Sequence, residues 1–453
     1  MCAGLSAVLT AVLALVVAVA AGALKTGFDE IGRQATPQVT ASTDLYVSLA
    51  DMDAQVANVL LVGDDVGLSD NRLKALQVYG RMRSRADADL QQSAALGAGD
   101  ENVSGLVRSV LDQLGQYQTL AGQALYLNQV GSDPAGRPSA AELGLYRQAN
   151  KLMAGALRDT QSLIHANQGS LDAAYLSDRS DAVAWIVWVI VVALALVVVL
   201  VVLQVRLRRR WKRRVNPAIA LATLGAVVVA IVVPIVLGVA DGQFRTAKQD
   251  GFDSIIDLSE ARALTQEAAA NESRFLVDPA SAADYQQAFQ AESQDVLTLT
   301  GATIDHYDGV LRTTLDAYNR DYSFAGFGGL LAVETGVDPS LTERYVSIRV
   351  MARYAGFEVA DRQMRATRTA GALRDAIDFD TNTSLGYSMY DLGRYDDALV
   401  GLITMKQAQL NQAVGDGGDA VSLWTSALPI LVGIVIAGLT IVGVRPRLRE
   451  YRG

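Results

Sequence analysis

Cysteine is almost absent: Cys2 alone, to which no role falls, so no disulfide can close within the chain. There are two histidines, His165 and His306, one in each half. A zinc site or a histidine acid–base pair needs partners at closer spacing than that. His165 reads as a helix-face residue, and His306 in DHYDG has Asp305 and Asp308 beside it but too few further ligands. Neither a glycine-rich phosphate loop nor a nucleophile elbow occurs. No strand-length run alternates polar and apolar residues, so sheet is not expected. These absences argue against an enzyme and against a bound cofactor or metal.

What the chain does have is hydrophobicity in blocks. Hydrophobic residues make up 51% of its 453 residues while charged residues still reach 19%, a mixture that fits apolar segments joined to polar domains. Residues 4–23, 183–203, 218–240 and 423–444 contain no Asp, Glu, Lys or Arg. Each is long enough to cross about 30 Å of hydrocarbon as a helix. The first ends in AVAAGA, which resembles a signal-peptidase site. It is read as a retained span because the apolar run is long and no basic segment precedes it.

Basic residues in the short flanks set the sidedness. The loop at 204–217 carries RLRRRWKRR, with Arg206, Arg208, Arg209, Arg210, Lys212, Arg213 and Arg214, and the tail at 445–453 reads RPRLREYRG. The two long intervening segments are acidic, net −6 over 25–181 and net −13 over 241–421. Both termini and the basic loop are therefore expected in the cytoplasm of a bacterial cell, and segments 24–182 and 241–422 outside it. Trp185, Trp188, Trp211 and Trp424 all fall near span ends, as indoles do. Topology accounts for the basic run, with anionic lipid contacting it and an acidic cytoplasmic protein a further candidate. Nucleic acid is excluded, because a loop pinned by two spans presents no groove-reading element.

The two halves repeat. Gly27-Phe28-Asp29 and Gly251-Phe252-Asp253 follow the first and third spans, and each half reads span, long acidic segment, span. Apolar residues recur at helical spacing: Leu45, Leu49, Met52, Val56, Val59, then Val107, Val110, Leu114, Tyr117, then Leu143, Tyr146, Met153, Leu157 and Ile164. Breaks divide each segment into four helices, with Asp70 expected to cap the second and Ser139 with Glu142 in capping-box spacing. In the second segment, Asp278-Pro279 and Asp338-Pro339 are expected to open helices. The expected fold is thus an all-α membrane protein: four transmembrane helices and two tandem extracytoplasmic up-down four-helix bundles from an internal duplication. Helices next to the spans are expected to run into them without a break.

Span, external helical bundle, span resembles the ligand-binding half of chemoreceptor-type sensors, here doubled. As a whole the layout is similar to GlnX-type membrane sensors. That resemblance implies a non-catalytic relay: amino-acid availability, sensed through a docked glutamine/glutamate-type solute-binding lipoprotein, is passed to a cytoplasmic serine/threonine kinase. A structural scaffold or accessory subunit of a cell-envelope complex is the alternative. A transporter subunit is weaker, because the spans offer only Ser6, Thr10, Thr223, Thr425, Ser426 and Thr440 as polar groups.

Candidate contacts for an external partner lie in the turns expected far from the membrane: Asp64, Asp65, Asp133, Arg137, Asp278, Asp380 and Asn382. Asp378, Asp380, Asn382 and Ser384 alternate as calcium-loop ligands do, but Thr383 and Met389 stand where that loop needs glycine and glutamate. Arg362, Arg365 and Arg368 form a row, with Glu358 and Asp361 four residues ahead of the first two as in surface pairs. Asn150, Thr160 and Asn167 interrupt an apolar seam and are read as fixing helix register.

Overall fold

A computed structural model describes residues 2–211, 217–321, 327–333, 341–425 and 427–448. Helix α1 (Cys2–Glu30) continues through a π-helical turn, Ile31–Ala35, into α2 (Thr36–Val62). Then come α3 (Ser69–Leu96), α4 (Glu101–Val130) and α5 (Ala140–Trp211), the last a single helix of 72 residues. Helix α6 (Pro217–Thr246) runs through a second π-helical turn, Ala247–Asp253, into α7 (Ser254–Val277). They are followed by α8 (Ala282–Val296), α9 (Tyr307–Asp321), α10 (Leu330–Val333), α11 (Leu341–Thr369), α12 (Leu373–Thr381), α13 (Ser388–Ser422) and α14 (Ala427–Leu448). Among the described residues the one ladder is two residues long, β1 (Thr298–Leu299) antiparallel to β2 (Phe327–Gly328). Four helical runs are long and apolar enough to cross a membrane. The chain is an all-α, multi-pass membrane protein.

Local chemistry explains several boundaries and corrects others. Ser139 and Glu142 form the expected capping box: the Ser139 N–H donates to Glu142 Oε2 at 2.8 Å, and the Glu142 N–H to Ser139 Oγ at 3.3 Å. Asp100 caps α4 by accepting from the N–H groups of Asn102 and Val103. Asp70 caps nothing; it lies inside the first turn of α3, and Asp65 instead accepts from the Gly67 N–H of a short 3-10 turn. Asp278 closes α7 rather than opening α8, which begins at Ala282 after Ser281. The second half is cut into more helices than four, since Leu297–His306 separates α8 from α9 and Ala370–Ala372 separates α11 from α12. Continuity into the fourth span also fails, because a turn at Leu423–Thr425 parts α13 from α14. Asp338, Pro339 and Ser426 lie outside the described residues.

The chain packs as two compact units. One comprises Met1–Ala35, Gly169–Gly251 and Ala408–Gly453 and holds the span-length helices. In it α1 packs on α14 and α6, and Leu5, Val8, Leu15, Leu194, Val198, Ile231 and Ile434 are exposed, as a lipid-facing surface requires. The span hydroxyls are spent within their own helices: Thr10 donates to the Ser6 carbonyl, Thr223 to Ile219 and Thr440 to Ile436. Phe28 and Phe244 meet edge to face at 5.3 Å, with Tyr175 stacked on Phe244 at 5.0 Å. Lys248 pairs with Asp172 at 2.7 Å beside them.

The other unit comprises Thr36–Gln168 and Phe252–Gln407. The two long segments between the apolar runs thus pack on each other, through α2 and α7. The expected seams are core: Leu45, Leu49, Met52, Val56, Val59, Tyr117, Tyr146 and Met153 are buried. The repeated tripeptide supplies a buried phenylalanine in each half, Phe28 and Phe252.

Gly417 on α13 leaves room for the Phe28 ring, which a Cβ would overlap, whereas a Cβ at Gly418 meets open space. Gly417→Ala is therefore expected to destabilise by about 1–3 kcal/mol. Gly418→Ala should stabilise by up to about 1 kcal/mol, since it only adds helix propensity. Thermal unfolding of the detergent-solubilised pair, followed by circular dichroism, checks the opposite signs.

Candidate functional site

Helix α2 is buried on every face between Ala41 and Val62 except at Asp44 and Asp51, and α7 is nearly so. Both carry polar residues, which must therefore find partners inside the protein. Asp53 of α2 is fully buried and ion-paired with buried Arg274 of α7. The Arg274 guanidinium also donates to Asn271 Oδ1 at 2.7 Å and to the Tyr146 hydroxyl at 3.3 Å. One turn away, Ser273 donates to Asn58 Oδ1 at 2.6 Å and lies 2.9 Å from Asp380 Oδ2. Farther along, Tyr46 donates to Glu267 at 2.7 Å, and Arg262 grips Asp396 through two bonds with Asp44 at 3.8 Å. A polar seam thus joins the first half to the second.

At one end of the unit the seam meets the turns. The Asp64 N–H donates to the Asp133 carbonyl at 2.9 Å and the Gly136 N–H to the Leu61 carbonyl at 2.7 Å, so both first-half turns lie together. Gly63 has φ +57°, and a Cβ there would lie 2.5 Å from the Asp133 carbonyl oxygen. Gly136, φ +71°, admits Leu373 and Ile377 of α12, each 2.8 Å from where its Cβ would be. Helix α12 is then tied to the first half by Arg374 on Asp65 at 2.7 Å, by Asn71 on Asp378 and Thr381, and by Lys74 on Thr383 at 2.8 Å. The hydrogen bonds from Arg374 hold the Asp65 carboxyl below its ordinary range.

The candidate contacts divide accordingly. Asp64 and Arg137 are exposed, while Asp65, Asp133 and Asn382 are half-buried at the same end. Asp278 and Asp380 are buried. Asp278 takes both bonds of Arg147, at 2.7 and 2.8 Å, which lowers its pKa. Asp278 thereby joins the halves, while Asp380 lies against Ser273 within the second half. In the basic loop Arg206 is exposed; Arg208, Arg209 and Arg210 lie within α5, and Lys212, Arg213 and Arg214 lie outside the described residues. Tyr322 and Phe324 lie outside them too.

Other candidates resolve as structure. Asp378, Asp380 and Asn382 do not converge: Asp378 accepts from Asn71 and Asn382, and Asp380 faces Ser273. Among the described residues, no group of three His, Cys, Asp or Glu is placed to hold a metal ion. Of the arginine row, Arg365 pairs with Asp361, but inside the protein rather than on its surface. Arg362 leaves Glu358 for Asp308 at 2.8 Å, and Arg368 stacks on Phe275 at 4.0 Å. His165 is exposed beside Gln168. Asn167 bonds Ser42 across helices at 3.0 Å, while Thr160 merely donates to its own helix at Ala156. A small cavity lined by Thr43, Tyr46, Gln161, Ile164 and Glu260 has room for about one water.

Asp53, Arg274, Asn58 and Ser273 were not among the sequence candidates. Their signal is local: Asp53 and Asn58 interrupt the dense apolar run ADMDAQVANVLLV, and Asn271 to Arg274 follow AAA, small residues that admit a close neighbour.

A model of an actinobacterial sensor domain family matches residues 27–176, about a third of the chain. No curated protein matches, and no solved structure matches. The matched residues run from the end of α1 to the middle of α5. The chain is similar there to a sensor domain, which supports a sensor-type membrane protein with a sensing, non-catalytic role in signalling.

Removing one member of the buried pair strands the other. Arg274→Met or Asp53→Leu alone is expected to cost about 3–5 kcal/mol, and the double change to recover much of that loss. Urea unfolding of the four proteins, compared as a double-mutant cycle, measures the coupling.

Proposed function

We propose that the protein is a non-enzymatic transmembrane sensor whose extracytoplasmic unit docks a solute-binding lipoprotein and relays amino-acid availability to a cytoplasmic kinase or other signalling protein. The observation that carries this reading is the sensor-domain match over 27–176 in a chain with four span-length helices. The turn end supports docking: Asp64, Asp65, Asp133, Arg137 and Asn382 gather there from both halves, and Val66 and Leu385 stand exposed, at 85% and 79% of their surface, near the Asp65–Arg374 and Lys74–Thr383 links. A small exposed apolar patch ringed by charge suits a protein partner.

The sidedness belongs to the proposal. The basic loop lies in the cytoplasm against anionic lipid, and inward relay passes through it and the tail. Helix α5 leads to the loop without interruption from the turn that precedes Ala140. Partner engagement that shifts α5 has a covalent route to Arg206. The alternative, a structural scaffold or accessory subunit of an envelope complex, is favoured by the ion pairing that locks the halves together.

Two measurements test the reading. A single cysteine at Thr383 should react with an impermeant maleimide on intact cells, and one at Arg213 only after permeabilisation; the reverse pattern overturns the topology. Affinity capture from native membranes should retain a solute-binding lipoprotein. Asp64→Lys with Arg137→Glu should reduce that capture at least tenfold without moving Tm. Equal capture by the variant removes docking at this end.

A further inference from the structure

Among the described residues, four buried carboxyls of the second half gather beside one arginine. Glu272 of α7, Glu358 and Asp361 of α11 and Asp380 of α12 are each at most 4% exposed and act on one another electrostatically. Arg365, paired with Asp361, is the cation facing them. From α9, Asp308 also acts on Asp361 but is paired with Arg362, and Tyr307 faces Glu358. Helix α13 contributes Tyr395 near Glu358 and Ser388, whose hydroxyl lies 3.4 Å from Glu272 Oε2. Tyr354 of α11 and Ser293 of α8 face Glu358, and Ser273 of α7 bonds Asp380. Glu272 Oε1 and Glu358 Oε1 are buried without a hydrogen-bond partner. Four ionised carboxylates buried around one guanidinium repel one another.

The position of the cluster gives this repulsion a lever. Asp380 sits one residue from the end of α12, a nine-residue helix. Helix α12 also packs on α11, seats Leu373 and Ile377 against Gly136, and at the turn end bonds through Arg374 to Asp65 and through Asp378 and Thr381 to Asn71. Asp380 touches α7 through Ser273 and, through the same serine, Asn58 of α2. Driving Asp380 out therefore loosens the helix on which both first-half turns rest.

We propose that the Glu272–Glu358–Asp361–Asp380 cluster is a proton-operated clasp: protonated it holds α12 on α7, and its ionisation as the surroundings turn alkaline releases α12 and opens the turn end. Only the statement that these surroundings are extracytoplasmic rests on the sensor reading above. Burial raises Asp361 to about 6, Asp380 to about 7 and Glu358 to about 8, and holds Glu272 well above the ordinary carboxyl range. The folded protein therefore holds protons that the unfolded chain has released. The sign follows: the stabilisation is complete below the ordinary carboxyl pKa, near 4, and is lost as pH rises through about 6 to 8.

Hydrogen exchange on the full chain in nanodiscs tests this, with rates corrected for the intrinsic effect of pH. Between pH 5.5 and 8.5, protection over Leu373–Thr381 should fall at least tenfold while α4 keeps its own. Asp380→Asn with Glu358→Gln, neutral at every pH, should keep α12 protected at pH 8.5. Wild-type protection that is flat across this range, or that falls equally in α4, overturns the proposal whether or not the variant folds. Lipoprotein capture failing at all pH values sinks the docking reading and leaves the clasp; flat exchange with intact capture does the reverse.

Discussion

Asp53 and Arg274 lie on two helices with scarcely an exposed face between them, and a charge in such a place must be met by another charge or not be carried at all. Neither half of the chain meets the requirement alone. Asp53 comes from the first half and Arg274 from the second, with Tyr146 of α5 bonded to the guanidinium. The same holds for Asn58 with Ser273 and for Arg147 with Asp278. Parting the halves would expose both members of each pair to solvation but would also uncover the apolar residues that surround them. The two segments are one folding unit for that reason, although each has its own helices and its own repeat of Gly-Phe-Asp.

That dependence explains what could be read in the sequence. A span is a composition, and a seam such as Leu45–Leu49–Met52–Val56–Val59 is a period. Both are local, and both appear where expected. The capping box at Ser139 and Glu142 is local too. Asp278 and Asp380 read as exposed turn residues because an acidic residue at a helix end looks alike in sequence whether water or a protein group faces it. The arginine that faces Asp278 lies in the other half of the chain, and nothing near Asp278 announces it. Asp361 and Arg365 show the intermediate case: their spacing identifies the pair, but only packing by α7 and α9 puts it inside.

The breaks follow the same division. Helix α8 ends at Val296 with no proline or glycine beside it, and its end is fixed by what packs there: Tyr307 donates to the Ser293 carbonyl, and Gln294 bonds both Leu299 and Ala302. The two π-helical turns each hold one glycine, Gly32 and Gly251. Each lies where the chain passes from one compact unit to the other, at Ala35 and at Gly251. Helix α1 has Leu5, Val8, Val12 and Leu15 exposed, whereas α2 is buried on nearly every face between Ala41 and Val62, polar residues included.

The buried carboxyls also change the meaning of the formal charge. The second segment counts to −13 by composition, yet Glu272, Asp278, Asp308, Glu358, Asp361 and Asp380 are all inside. Asp278, Asp308 and Asp361 face arginines, burial holds Glu358 and Asp380 partly protonated near neutrality, and it raises Glu272 above the ordinary carboxyl range. The surface that a partner meets is therefore less acidic than the sequence implies, and its negative charge lies in residues such as Asp64, Asp284 and Asp305. Steering of a partner depends on this surface field and not on the sum over the chain. The topology argument is untouched, because it rests on lysine and arginine beside the spans, where acidic residues contribute little.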